Sequence, residues 1–221
     1  MVQNAVAQLR ELFAEQADPV KSASMKAYMK GKFDYFGISS PERKTIQREW
    51  FNTIKGLDTW DVVYLLWDQP ERELQYVAAD LLKKLPLKAY DVDDYKKLEE
   101  LITTKSWWDT VDGIASNNVG RYFQAHPNMI EKVIKRWRQS DDMWLNRTTL
   151  IFQLKYKEET DFELTKDLII QFLPVKEFFI QKAIGWALRQ YSKSNPDAVR
   201  EFIETLELST VAKREAWKYI N

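Results

Sequence analysis

The residues most able to do chemistry lie in Lys105-Ser106-Trp107-Trp108-Asp109-Thr110-Val111-Asp112, where two indoles and two carboxylates open one predicted helix. A desolvated carboxylate beside an electron-rich indole face stabilises developing positive charge, and it can also orient a water for attack. Helical geometry divides the residues. Ser106 followed three positions later by Asp109 reads as a capping box variant with Ser106 as N-cap, and Asp109 then suits the first-turn amides and the helix dipole. Asp112 lies a turn further in, where capping does not explain it, and it shares a face with Trp108 four residues before. Trp107, Val111 and Ile114 fall on another stripe, which reads as core.

A second group has the same character. Lys182, Trp186 and Arg189 stand at i, i+4 and i+7, so two cations and an indole share one helix face. Ile180, Ala183, Ile184 and Ala187 form the opposite, core stripe, which Phe179 and Tyr191 extend. Lysine and arginine stems can simply cover a surface tryptophan. The same face also makes an aromatic wall with cations placed for phosphates. In Asp142–Arg147, Leu145 looks inward, followed by Thr149 and Phe152, which leaves Arg147 near the groove. There it can pair with Asp112 of the preceding unit, or lie between that carboxylate and a phosphate.

These side chains need helices to carry them, and the chain repeats its helix grammar. Placing Ser106, Asp141 and Lys176 in register makes Asp112, Arg147 and Lys182 equivalent, each 35 residues apart. Each starts a second helix, and 93–104, 127–138 and 160–172 read as the first helices. Upstream, 58–68 precedes Pro70–Lys84, and 20–34 precedes Pro41–Ile54; downstream, 196–206 precedes 209–220. Residues 1–16 suit an amphipathic helix through Val6, Leu9, Leu12 and Phe13, closed by Ala17-Asp18-Pro19. Ser40-Pro41 and Asn195-Pro196 put a capping residue before proline at the first helical position, with Gln69-Pro70 and His126-Pro127 as weaker versions; Asp141 and Ser209 start helices without proline. His126 reads as a cap, Asp91–Asp94 as a solvated loop and helix start, and Trp50, Trp60, Trp137 and Trp217 as repeat core. The expected fold is all-α: a right-handed solenoid of HEAT-like helix pairs, about six after an N-terminal helix, in one domain over 1–221, with second helices lining a concave groove.

Composition narrows the class. The 221 residues suffice for a large core, and 6 glycines with 7 prolines are few for an all-β chain. There is no cysteine and one histidine, which excludes disulfides and an ordinary zinc site. No apolar run reaches membrane-spanning length and no signal-peptide pattern opens the chain, so a cytoplasmic protein is expected. With 33 basic and 33 acidic residues the net charge is zero, so a nucleic-acid binder must segregate its cations onto one face.

The chain resembles the bacterial HEAT-like DNA glycosylases that excise alkylated purines, the AlkD type. The resemblance runs through Tyr28-Met29-Lys30, Gly37-Ile38 with Pro41-Glu42-Arg43, Leu66–Glu73, Thr104–Asp112, Trp144–Arg147, Phe152–Lys157 and Phe178–Arg189. Lys-Ser-Trp-Trp-Asp and Phe-Phe-Ile-Gln-Lys-Ala-Ile-Gly-Trp are its most specific segments. It implies that Asp112 is the catalytic carboxylate, that Trp108 and Trp186 line the lesion cleft, and that Arg147 contacts backbone phosphate. The DNA-binding residues expected are Tyr28, Lys105, Arg147, Lys155, Lys182 and Arg189. Ser39 departs from a relative that has Gln, so contacts by that loop are not carried over. The chain ends at Asn221, close behind its last helix, so no longer basic tail is expected.

An N3- or N7-alkylated purine is cationic and leaves without protonation, while positive charge builds on the deoxyribose as in glycoside hydrolysis. The resemblance therefore implies hydrolysis of the N-glycosidic bond in alkylated duplex DNA, with no metal or cofactor and without base flipping. It further implies a monomer associated with the bacterial nucleoid. Two other classes use the same fold: a non-catalytic DNA-structure binder and a protein scaffold.

Overall fold

The computed structural model describes residues 1–220, and among them there is no strand beyond one isolated bridge between Asp34 and Glu71. The chain forms two compact units, Met1–Leu85 and Pro86–Asn221.

The first unit holds α1 (Val2–Glu15), α2 (Pro19–Tyr28), α3 (Ser40–Thr53), α4 (Thr59–Asp68) and α5 (Arg72–Leu82). Helix α1 buries Val6, Leu9 and Phe13, whereas Leu12 is exposed. Helix α2 ends at Tyr28, short of the expected 34, because Lys30 and Gly31 adopt left-handed backbone. Ser39 rather than Ser40 caps α3 in a full capping box with Glu42. Helix α5 starts at Arg72 rather than Pro70, since the Arg72 amide donates to the Asp34 carbonyl at 2.8 Å and keeps the preceding chain extended. The loop before α3 is anchored by buried Glu73, whose carboxylate accepts from the amides of Phe36, Gly37 and Ile38 at 2.9–3.2 Å. Gly37 has φ +91°, and a Cβ there would lie 2.2 Å from the Asp18 carbonyl oxygen, so only glycine fits.

The second unit holds α6 (Asp94–Thr103), α7 (Trp108–Gly113), a π-helical segment Ile114–Val119, α8 (Gly120–Ala125), α9 (Ile130–Arg138), α10 (Met143–Ile151), α11 (Phe162–Phe172), α12 (Phe178–Tyr191), α13 (Pro196–Glu204) and α14 (Thr210–Ala216). The expected helix pairs are present, with ends shifted by a few residues. Within this unit the second helices pack in chain order, α10 against α7 and the π segment, α12 against α10, and α14 against α12, while α9 packs on α10 and α11 on both α10 and α12. A lone pair has no partner for its apolar stripe, which is why stacking supplies the core.

The caps correct several expectations. Ser106 does not open α7: its Oγ donates to the Ile102 carbonyl at 2.7 Å, closing the preceding helix, and Trp107 takes the N-cap place. Asp142, not Asp141, caps α10, accepting from Trp144 and Leu145. Asn195 and Ser209 cap as expected. His126 precedes the turn before α9, but its Nε2 contacts the Tyr90 carbonyl at 2.8 Å instead of capping. Asp94 is buried, not solvated, and accepts from the Asp91 amide. Trp50, Trp60 and Trp137 are core; Trp217 is exposed. Ile180, Ala183, Ile184 and Ala187 form the buried stripe of α12, whereas Phe179 and Tyr191 stay half-buried.

Gly185 sets how closely α12 meets α14, since a Cβ would lie 2.6 Å from the Glu215 Cβ and 2.7 Å from the Ala212 carbonyl oxygen. Gly185→Ala is expected to destabilise the fold by about 1–3 kcal/mol through overpacking. Gly113→Ala, where a Cβ meets nothing within 4 Å, is expected to stabilise by about 0.5–1 kcal/mol. Denaturant unfolding followed by circular dichroism measures both, through opposite shifts of the midpoint.

Candidate functional site

Asp112 sits one turn into α7, with its side chain 17% exposed. Arg147, the fifth residue of α10, is 1% exposed and grips that carboxylate through both oxygens, Nε to Oδ1 at 2.7 Å and Nη2 to Oδ2 at 2.8 Å. Its remaining terminal nitrogen, Nη1, donates to the carbonyl of Phe179 on α12. One guanidinium therefore joins three consecutive second helices. Buried as it is, Arg147 directs these donors to Asp112 and Phe179 and holds the carboxylate in place.

Burial pushes the Asp112 carboxyl above the usual aspartate range, and the Arg147 bonds and charge pull it back; Asp109 adds a smaller push and Lys182 a smaller pull. Trp186 reaches the same place from α12, its ring 5.2 Å from the Arg147 guanidinium. Lys182 and Arg189 flank that indole at 5.7 and 5.6 Å, so the predicted i, i+4, i+7 face is present. The two cations differ, however. Arg189 is tied to Glu215 of α14 at 2.5 Å, whereas Lys182 lies over Trp186 and the exposed ring of Phe178. Trp108 is half-buried at the first position of α7, one turn before Asp112.

The other expected DNA contacts come from three further places in the chain. Lys105 is half-buried in left-handed backbone ahead of α7. Lys155 is exposed and donates to Asn117 Oδ1. Tyr28 belongs to the first unit, at the end of α2, and is 69% exposed.

Two features escaped sequence reasoning. Trp107, assigned to the core stripe, stands instead with Trp144 and Phe179 in an edge-packed cluster, with ring centroids 5.1–5.8 Å apart, which supports the carbonyl that Arg147 uses. Directly after Asp112 the helix widens into the π segment, and Ser116 Oγ and Asn117 Nδ2 back-bond to the carbonyls of Asp112 and Gly113, each at 2.7 Å. Small polar residues inside a helix carry that signal, because they compete with the backbone ladder.

The second unit is thus a stack of helical repeats that presents a held carboxylate, an indole and a lysine. Among the described residues no group of three or more His, Cys, Asp or Glu side chains could hold a metal ion, and no helix is long and apolar enough to cross a membrane. A family model described as "DNA alkylation repair enzyme" matches residues 9–220, and the chain belongs to that family. The chain is similar to a solved structure titled "Predicted DNA alkylation repair enzyme from Enterococcus faecalis", at 34% identity and TM-score 0.84, covering 92% of this chain and 96% of that one. No curated protein sequence matches.

Arg147→Ala leaves Asp112 desolvated without its counter-charge, so a loss of about 3–5 kcal/mol in folding stability is expected. Denaturant unfolding of that variant beside Lys155→Ala, which removes an exposed contact and is expected to change stability by less than about 0.5 kcal/mol, checks it.

Proposed function

We propose that the protein is a DNA glycosylase that releases cationic N3- or N7-alkylated purines from duplex DNA, with Asp112 as the catalytic carboxylate. The observation that carries this reading is the Asp112–Arg147 pair beside the Trp186 ring, on a face that also carries Lys182. The alkylated base leaves with the electron pair of the C1′–N bond and so becomes neutral. Positive charge then develops on the sugar, where an ionised carboxylate and indole faces at Trp108 and Trp186 stabilise it. Water adds to C1′ and its proton passes to Asp112 or solvent. Arg147 keeps Asp112 ionised despite its burial and fixes its direction. Lys182 and Arg189 face the phosphates, with Lys105, Lys155 and Tyr28 contributing further DNA contact.

The second reading, a duplex binder without catalysis, is favoured by one observation: Arg147 engages both oxygens of Asp112, as a purely structural ion pair would. Base release separates the two. Purified protein incubated with methylated duplex is expected to liberate free methylated base, and Asp112→Asn to lose roughly 10²–10³ in rate at unchanged duplex affinity. Equal release by protein and variant removes Asp112 from its role.

The pH dependence follows from the same carboxylate. Only its ionised form stabilises the sugar cation, and burial holds its pKa above the ordinary aspartate value of about 3.9. Activity is therefore lost as pH falls through that raised value, at a higher pH than an ordinary aspartate gives. The single-turnover rate against pH is expected to show this acidic limb, and the limb is expected to vanish in Asp112→Asn.

A further inference from the structure

The first unit contains a cavity of about 330 Å³ walled by α2, α3 and α5, and the chemistry proposed for Asp112 makes no use of it. Its size falls in the range of small-molecule sites, about 300–1,000 Å³. Its lining is mainly apolar and aromatic, with Met25, Met29, Tyr28 and Tyr76 on its walls. Planar rings stack on tyrosine, and methionine thioethers adapt to aromatic edges.

Arg43, on the wall of the same cavity, supplies the polar group. It is 8% exposed, its Nη2 binds Asp80 at 3.1 Å, and its guanidinium lies 4.8 Å from the centroid of the Tyr76 ring. Its Nε is buried with no hydrogen-bond partner among the described residues. A buried donor left unmade is costly, so Arg43 retains an unmet demand for an acceptor. The matching ligand is flat, stackable and edged with acceptors, and arginine pairs most often with the O6/N7 edge of guanine.

We propose that this cavity is a binding site for an unpaired guanine base, which stacks among the tyrosines and offers its acceptor edge to Arg43. Tyr28, 69% exposed, also lines the cavity and gives the base an aromatic face open to solvent. The ligand is either a free guanine nucleoside or an extrahelical guanine in a DNA strand. The site stands or falls whether or not Asp112 releases a base.

The five methionines give a local readout, because Met25 and Met29 line the cavity while Met129 and Met143 lie in the second unit. Methyl-labelled full-length protein is titrated with guanosine, with adenosine, with a duplex carrying one bulged guanine, and with the fully paired duplex. The expected result is saturable movement of the Met25 and Met29 methyl signals with guanosine, with the bulged duplex, or with both; which of these binds identifies the source. Adenosine and the paired duplex are expected to act at least about tenfold more weakly. Ser24→Trp, an exposed lining position whose indole fills the cavity, is expected to abolish the response. Arg43→Lys keeps a charge for Asp80 but loses the planar fork, and is expected to erase the preference for guanosine over adenosine. The proposal is overturned by still Met25 and Met29 signals with every guanine probe, by equal responses to adenosine or paired duplex, or by an unaltered response in Ser24→Trp.

Discussion

The second unit depends on one buried guanidinium. Arg147 donates two bonds to the carboxylate of α7 and one to a carbonyl of α12, so three neighbouring helices share a single ionic centre. Desolvating such a pair costs several kcal/mol per ion before any return, which makes it poor as a source of stability alone. Its physical consequence is register. Aspartate and arginine meet only if helices one repeat apart are neither slid nor rotated, and their separation of 35 residues is the repeat length.

The aromatic residues follow from that constraint. Trp107 packs edge-on against Trp144 and Phe179, and the three rings gather around the backbone that Arg147 reaches. Trp186 closes another side with its face toward the cation. An arginine between a carboxylate and an indole spreads its charge in two directions, so its pull on the carboxylate offsets only part of the effect of burial. The π segment works at the other end of Asp112. Where the helix widens, the Ser116 and Asn117 side chains donate to the Asp112 and Gly113 carbonyls, so those acceptors are met within the same turn.

What the sequence made legible follows from what each signal measures. The helix pairs were readable because apolar periodicity and capping residues are local, and the 35-residue offset placed Asp112, Arg147 and Lys182 on equivalent positions. Caps shifted by one residue, as at Ser39 and Asp142, because adjacent polar residues compete for the same amides and the backbone angles decide. Ser106 failed for a different reason: a serine between two helices can close the first as well as open the second. Arg147 showed the limit. Its side chain can reach a carboxylate or a phosphate from one Cα position, and only packing against Phe179 and Trp186 turns it inward. The tryptophan pair divided imperfectly too, since Trp107 belongs to an aromatic cluster spanning three helices that no single helical stripe reveals.

Zero net charge acquires a meaning here that composition alone could not give it. Arg43 binds Asp80, Arg136 binds Glu99, Arg138 binds Asp167, Arg147 binds Asp112 and Arg189 binds Glu215, and most of these partners are about one repeat apart. The arginines thus act largely as ties between helices, a use that suits a planar fork able to take a carboxylate through two bonds. A polyanion must then be met by other cations, and lysines carry that load better because an ammonium on a flexible stem keeps its charge at the surface. Lys182 is the clearest case: it stands over two aromatic rings, one of them exposed, on the face that carries Trp186. The arginines that hold neighbouring helices together are thus committed to carboxylates, and Lys182 is left over the aromatic face.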